Sequence, residues 1–104
     1  MNIVVNLQVE LTHQWSDCPL EEVNYLKNEH RHLFFICCKK EVNHNNRDIE
    51  IIQFKHKIEE FIKELYPKKK MGEISCEMLA EILKKRFNLV YCSVLEDNEN
   101  GAEI

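Results

Sequence analysis

From Ile3 the chain alternates strictly, with Ile3, Val5, Leu7, Val9 and Leu11 on one side and Val4, Asn6, Gln8, Glu10 and Thr12 on the other. Period-two alternation sends successive side chains to opposite faces, so the stretch predicts a strand with one buried face. The next in-phase position is His13. Trp15 to Glu29 reads as a connection, with Ser16, Asp17, Pro19 and Asn28 supplying turn chemistry and Leu20 to Leu26 a short helical turn. Connections this long in a compact domain are commonly functional. Arg31 to Val42 predicts a second strand, apolar on both faces from Leu33 to Cys38, as expected where helices cover one face and a partner the other.

Asn43-His44-Asn45-Asn46 is a turn cluster, and an Asn or Asp48 is expected to cap the helix that follows. Glu50 to Tyr66 carries helical spacing, with Ile51, Phe54, Ile58, Phe61, Ile62 and Leu65 in one stripe and charged residues over the rest. Pro67 ends that helix, and Lys68-Lys69-Lys70 with Gly72 forms a solvated loop. Ser75 is a good N-cap for a second helix, Cys76 to Phe87, whose stripe is Leu79, Ile82, Leu83 and Phe87. Leu89 to Leu95 predicts a third strand, with Glu96 in phase with Val90, Cys92 and Val94. Asp97 to Gly101 is a turn before a short last strand. The order β-β-α-α-β-β predicts one α+β domain over residues 1–104, an antiparallel sheet with two helices on one face.

Composition narrows the class. With 44% hydrophobic and 31% charged residues the chain is ordinary for a globular protein. A net charge of -4 argues against a nucleic-acid partner, whose affinity would rest on a basic face. No apolar run approaches a membrane span and no signal segment opens the chain, so a cytoplasmic protein without a membrane partner is expected. Five cysteines with no C-x-x-C pair suggest neither a disulfide framework nor a thiolate zinc knuckle.

The candidate chemistry starts at His30 and His32. On a strand, residues two apart share a face, so both imidazoles project to one side with Cβ atoms about 6 to 7 Å apart, a usable metal bite. A catalytic zinc usually takes three protein ligands. His13, closing the apolar face of the first strand, is the natural third; the alternative is a strand-end histidine bonded to backbone.

These landmarks together resemble the 6-pyruvoyl-tetrahydropterin synthase and 6-carboxytetrahydropterin synthase family of tunnelling-fold (T-fold) proteins. His13, His30 and His32 stand in the order and at the spacing of that family's zinc histidines. Ser75-Cys76-Glu77-Met78-Leu79-Ala80 is similar to its Thr/Ser-Ser/Thr-Glu-x-Leu-Ala motif, and Glu96 takes the place of its ring-anchoring carboxylate. The resemblance implies zinc as cofactor and a pterin substrate like dihydroneopterin triphosphate. It also implies ligand contacts from Glu96, Ser75, Cys76 and Glu77, and a homo-oligomer, trimeric or hexameric, whose sheets close into a barrel with the pocket between subunits. Capping alone also accounts for Ser75.

The departures bear on catalysis. Where the family has a cysteine nucleophile four residues before His-x-His, this chain has Leu26, and Cys18 is too far back in the loop to substitute. No histidine stands between Tyr66 and Ser75, where the family carries an Asp-His pair that relays protons. Glu29, Asp17 and His44 are the remaining candidates for a base. Three readings stay open: a divergent zinc-dependent synthase-like lyase, a non-catalytic binder of a pterin, purine or nucleotide-like ligand, and a structural oligomer.

Overall fold

Two strands of equal length form the spine of the sheet. In the computed structural model, which describes residues 1–104, β1 (Asn2–His13) and β2 (His30–Glu41) pair antiparallel along their whole length, from Asn2 opposite Glu41 to His13 opposite His30. The helices α1 (Ile51–Leu65) and α2 (Cys76–Phe87) follow, then β3 (Tyr91–Glu96) and β4 (Asn100–Glu103). The sheet runs in order β1-β2-β3-β4 with every pair antiparallel. This is the expected α+β arrangement, and no helix is long and apolar enough to cross a membrane.

Alternation decides which face is buried. Val5, Leu7 and Leu11 of β1, Phe34, Ile36 and Cys38 of β2, and Cys92 and Val94 of β3 share one face. They pack into a single cluster with Phe54, Ile58 and Ile62 of α1 and Leu79, Ala80 and Leu83 of α2. Val4 is exposed on the opposite face, where Leu33, Phe35, Cys37 and Leu95 are only half-buried. Within the core, Cys38 lies opposite Cys92. The hydrogen bond to Cys92 and burial hold the Cys38 thiol far above the ordinary range, leaving an inert apolar group.

Three local expectations need correction. Glu50 caps α1 in place of an Asn or Asp48: its carboxylate curls back to accept from the backbone N–H groups of Ile52 (3.1 Å) and Gln53 (2.6 Å). Asp48 is engaged elsewhere, accepting from the Asn43 amide at 2.7 Å and closing the turn. The third strand starts at Tyr91, two residues later than the pattern suggests. Asn88, left-handed at φ 51°, closes α2, and the Leu89 amide bonds back to the Lys84 carbonyl, so Leu89 belongs to the helix end. The last turn is shorter than Asp97 to Gly101. Asp97 and Asn98 alone take left-handed backbone, which Asp and Asn tolerate, and pairing resumes at Asn100. The expected helical turn is a 3-10 helix over Glu21–Lys27, and Ser75 caps α2 by accepting from the Met78 amide at 3.2 Å.

Candidate metal centre

At one end of the sheet the buried face turns polar. His13, His30 and His32 continue the inward rows of β1 and β2 beyond Phe34, and Glu96, paired with Phe34, ends the inward row of β3. The rings of His13 and His32 stand edge-on to Phe34, 5.4 and 5.7 Å between centroids, so the core itself fixes their orientation. One ligating atom from each of the four residues lies within 4.8 Å of the others. The group can hold a metal ion.

Its hydrogen bonds decide what the imidazoles present. His13 Nδ1 lies 2.8 Å from the Ile74 carbonyl and His30 Nδ1 lies 2.8 Å from that of Asn28. A carbonyl only accepts, so each Nδ1 carries the proton and the Nε2 of the neutral ring presents a lone pair. Both Nε2 atoms are buried without a hydrogen-bond partner. His32 Nδ1 donates to Asp97 Oδ2 at 2.7 Å, leaving its Nε2 bare in the same way. That bond and the Leu33 amide hold the Asp97 carboxyl below the usual range. A second group bonded to the far nitrogen is the usual arrangement around ligating histidines.

Glu96 supplies the counterpart. Its Oε2 lies 2.9 Å from His13 Nε2 and 3.4 Å from His32 Nε2. Ligands about 2.0–2.1 Å from a tetrahedral ion stand about 3.3–3.4 Å apart, which the His32 separation matches, while the His13 separation of 2.9 Å is that of a hydrogen bond and would have to open slightly around an ion. A bare nitrogen lone pair facing a carboxylate oxygen at this range is repulsive unless a cation or proton lies between them. The four residues therefore fit a metal.

A neighbouring segment completes the floor. Thr12 exchanges backbone hydrogen bonds with Lys69 (2.9 Å) and Met71 (2.8 Å), and the Gln14 amide reaches the Gly72 carbonyl at 2.8 Å. This brings Ile74 onto His13. Glu73 then accepts from the Ser16 amide (2.9 Å) and hydroxyl (2.7 Å), which tie down the loop after β1 and hold the Glu73 carboxyl below its ordinary value. The cavity above the histidines has a volume of about 460 Å³, within the range of small-molecule sites. Trp15, Leu26, Ile74 and Met78 give it apolar walls, and Gln14, Glu73, Ser75, Glu77, Glu96 and Asn100 give it polar ones.

The residues singled out from sequence divide cleanly. His13, His30, Glu96, Ser75, Cys76 and Glu77 all line this cavity, and His32 stands behind it in the metal cluster. Glu96, read as a ring anchor, lies among the prospective metal ligands. The three base candidates are not brought in. Glu29 accepts from the Thr12 hydroxyl at 3.2 Å, Asp17 is exposed, and none of the three lines the cavity. His44 lies beyond the far end of β2, a strand of 12 residues that begins at His30, and pairs there with Asp48 at 3.5 Å. Cys18 is buried against the carbonyls of Leu20 and Val23, where it braces the loop. Leu26 does reach the cavity, with no chemistry to offer. Cys76 is the cavity's only thiol, and burial, then Glu96 and Glu77, push it up to about 12, so it stays protonated at neutral pH.

Ile74, Asp97, Trp15, Met78 and Asn100 enter the site without having been singled out. Asp97 carried a usable signal, standing next to Glu96 in a turn. Ile74 acts through its carbonyl, for which a side-chain pattern holds no signal. Neither protein-family models nor curated proteins give a match to this chain.

Proposed function

We propose that this chain is a zinc-binding T-fold protein that holds a planar, hydrogen-bonding heterocycle of pterin or purine type beside the metal. The observation that carries the reading is the set of three histidines with Nδ1 engaged, each offering a ligand atom within 4.8 Å of the others and of Glu96 under a lined cavity. Three imidazoles and a carboxylate suit zinc by donor type. With the three histidines as its only protein ligands, zinc would keep a position open and supply a Lewis acid that polarises a ligand oxygen; with Glu96 as a fourth ligand the site would be closed. The chain's own residues do the rest: Trp15, Leu26 and Met78 offer apolar contact to a ring, and Ser75, Glu77 and Asn100 offer hydrogen bonds to its edge.

Binding is better supported than a lyase reaction. A lyase of the resembled kind needs a group that moves a proton within hydrogen-bond reach of the ligand. Leu26 stands where a nucleophile would serve, and Glu29, Asp17 and His44 lie off the cavity, which leaves the exposed Glu73 and Glu77 as the carboxylates on its lining besides Glu96. The half-buried apolar face with Leu33, Phe35 and Leu95 supports the barrel of several sheets that belongs to this reading, a homo-oligomer of three or six subunits.

Metal analysis tests the centre: about one zinc per chain in the native protein and none in His32→Ala, with unchanged content in that variant counting against the site. Thermal stabilisation of the zinc-loaded protein by a panel of pterins and purines tests the ligand. New pterin product from dihydroneopterin triphosphate would favour the lyase.

A further inference from the structure

His32 stands between two carboxylates that meet it on opposite sides. Asp97 Oδ2 lies 2.7 Å from its Nδ1, and Glu96 Oε2 lies 3.4 Å from its Nε2. A carboxylate that only orients a ligating histidine bonds to the ring nitrogen turned away from the ion, and Asp97 already fills that place. Glu96 is on the ligating side.

The remaining contacts of Glu96 agree. The same Oε2 lies 2.9 Å from His13 Nε2, and these two histidines are the only charged partners of the carboxylate. No lysine or arginine neutralises it. Its backbone is fastened beside the histidines as well: it pairs with Phe34, and the next residue, Asp97, donates its amide to the Leu33 carbonyl at 2.8 Å and accepts from the Leu33 amide at 3.0 Å. The end of β3 is therefore held where it delivers this side chain to the cluster. Three imidazole nitrogens and one carboxylate oxygen make four donors, all within 4.8 Å of one another. Four protein donors is the number at which a tetrahedral zinc is closed, whereas a catalytic zinc takes three and keeps a position open.

Resting on the zinc reading above, we infer that Glu96 is the fourth ligand through Oε2, so that the centre is closed and structural: it ties together the ends of β1, β2 and β3, and a ring in the cavity lies beside the ion without binding it. The ring-anchoring role that the family resemblance implies for Glu96 then gives way to a metal role. A lyase step that needs an open metal position has none.

Cobalt(II) takes the place of zinc and reports its coordination through visible d–d bands, which change when an added anion enters an open position. The full chain is loaded with cobalt and titrated with thiocyanate. Native protein is expected to take up about one cobalt per chain in a four-coordinate form whose bands thiocyanate leaves unchanged. Glu96→Ala opens the fourth position, so its bands should shift with thiocyanate, and its zinc affinity should fall by more than the about 10- to 100-fold typical of an outer partner. Glu96→Gln, which keeps the shape and loses the charge, should lose affinity in the same direction, separating lost ligation from lost packing. Native bands that shift with thiocyanate, or zinc affinity in both variants equal to that of the native chain, overturn the closure while leaving the three-histidine centre in place. A native chain that takes up neither zinc nor cobalt overturns the zinc reading, and the closure with it.

Discussion

Asp97 Oδ2 accepts a hydrogen bond from His32 Nδ1 at 2.7 Å, while its Oδ1 accepts from the Leu33 amide at 3.0 Å. One carboxylate thus closes the end of the β2–β3 ladder and fixes the tautomer of a prospective metal ligand. Asp97→Asn keeps the shape but can present an N–H where His32 needs an acceptor. We expect it to weaken zinc affinity by about 10- to 100-fold without abolishing one-to-one loading. Competition against a zinc-binding dye reads the change, and an unaltered affinity would show that the pair only terminates the strand.

Phe34 joins this centre to the core. It is fully buried, and its ring stands against both His13 and His32. Phe34→Ala leaves a cavity between the sheet and the helices, with a cost of about 3–5 kcal/mol in denaturant unfolding. It also frees two ligand rings to turn, so zinc affinity should fall alongside stability. Ile58→Ala, equally buried but in α1 away from the histidines, is the control. It should lose about 2–5 kcal/mol and leave the affinity of the folded protein unchanged.

How much of this was legible in the chain follows from the kind of signal each residue carries. His13, His30 and His32 lie in phase with long apolar rows, and a period of two leaves only one face for them. The placement of Ser75 followed from ordinary capping chemistry. Glu50 did not, because Glu is uncommon as an N-cap and only its curled side chain makes the role visible. Trp15, Met78 and the Ile74 carbonyl reach the site through the docking of residues 69–74 along β1, a contact between segments more than fifty residues apart. No local pattern encodes that. The apolar pattern places the start of the third strand two residues early because Leu89, buried by the helix end, carries the same apolar signal as a strand residue.

Acid should act on α1 through its cap. The amides of Gln53 and Ile52 bond to the Glu50 carboxylate in the folded chain and hold its pKa below the ordinary value. A group depressed on folding contributes stability that is present above its unfolded pKa, about 4.3, and is lost as pH falls through the lower folded value. Wild type should therefore be more stable than Glu50→Gln at neutral pH, and the difference should shrink below about pH 4 and vanish in stronger acid. Thermal unfolding of both proteins in chelator across that range measures it. A difference that stays constant with pH would mean that the capping bond does not depend on the charge.

Gly101 decides whether β4 can stay in the sheet. It lies opposite Leu95 on the rim of the cavity, and a Cβ built there would clash with the Val94 carbonyl oxygen and meet Leu95 Cα at 2.8 Å. Both obstacles are backbone, so no side chain can swing aside to make room. Gly101→Ala must therefore move β4 away from β3. The pair of bonds between Cys92 and Ile104, each 2.9 Å, should be strained or lost, together with the packing of Ala102 against the core. Overpacking of this kind costs about 1–3 kcal/mol, and because β4 is a short edge strand the loss should be local, with the core folded. Hydrogen exchange separates local from global effects: the Ile104 and Cys92 amides should lose protection while those of β1 and β2 keep theirs. The same displacement widens the rim at Asn100, so ring binding should weaken in this variant even where zinc content does not change. Retained protection at Ile104 would show that β4 absorbs the methyl group in place, and the rim would then be more yielding than its geometry implies.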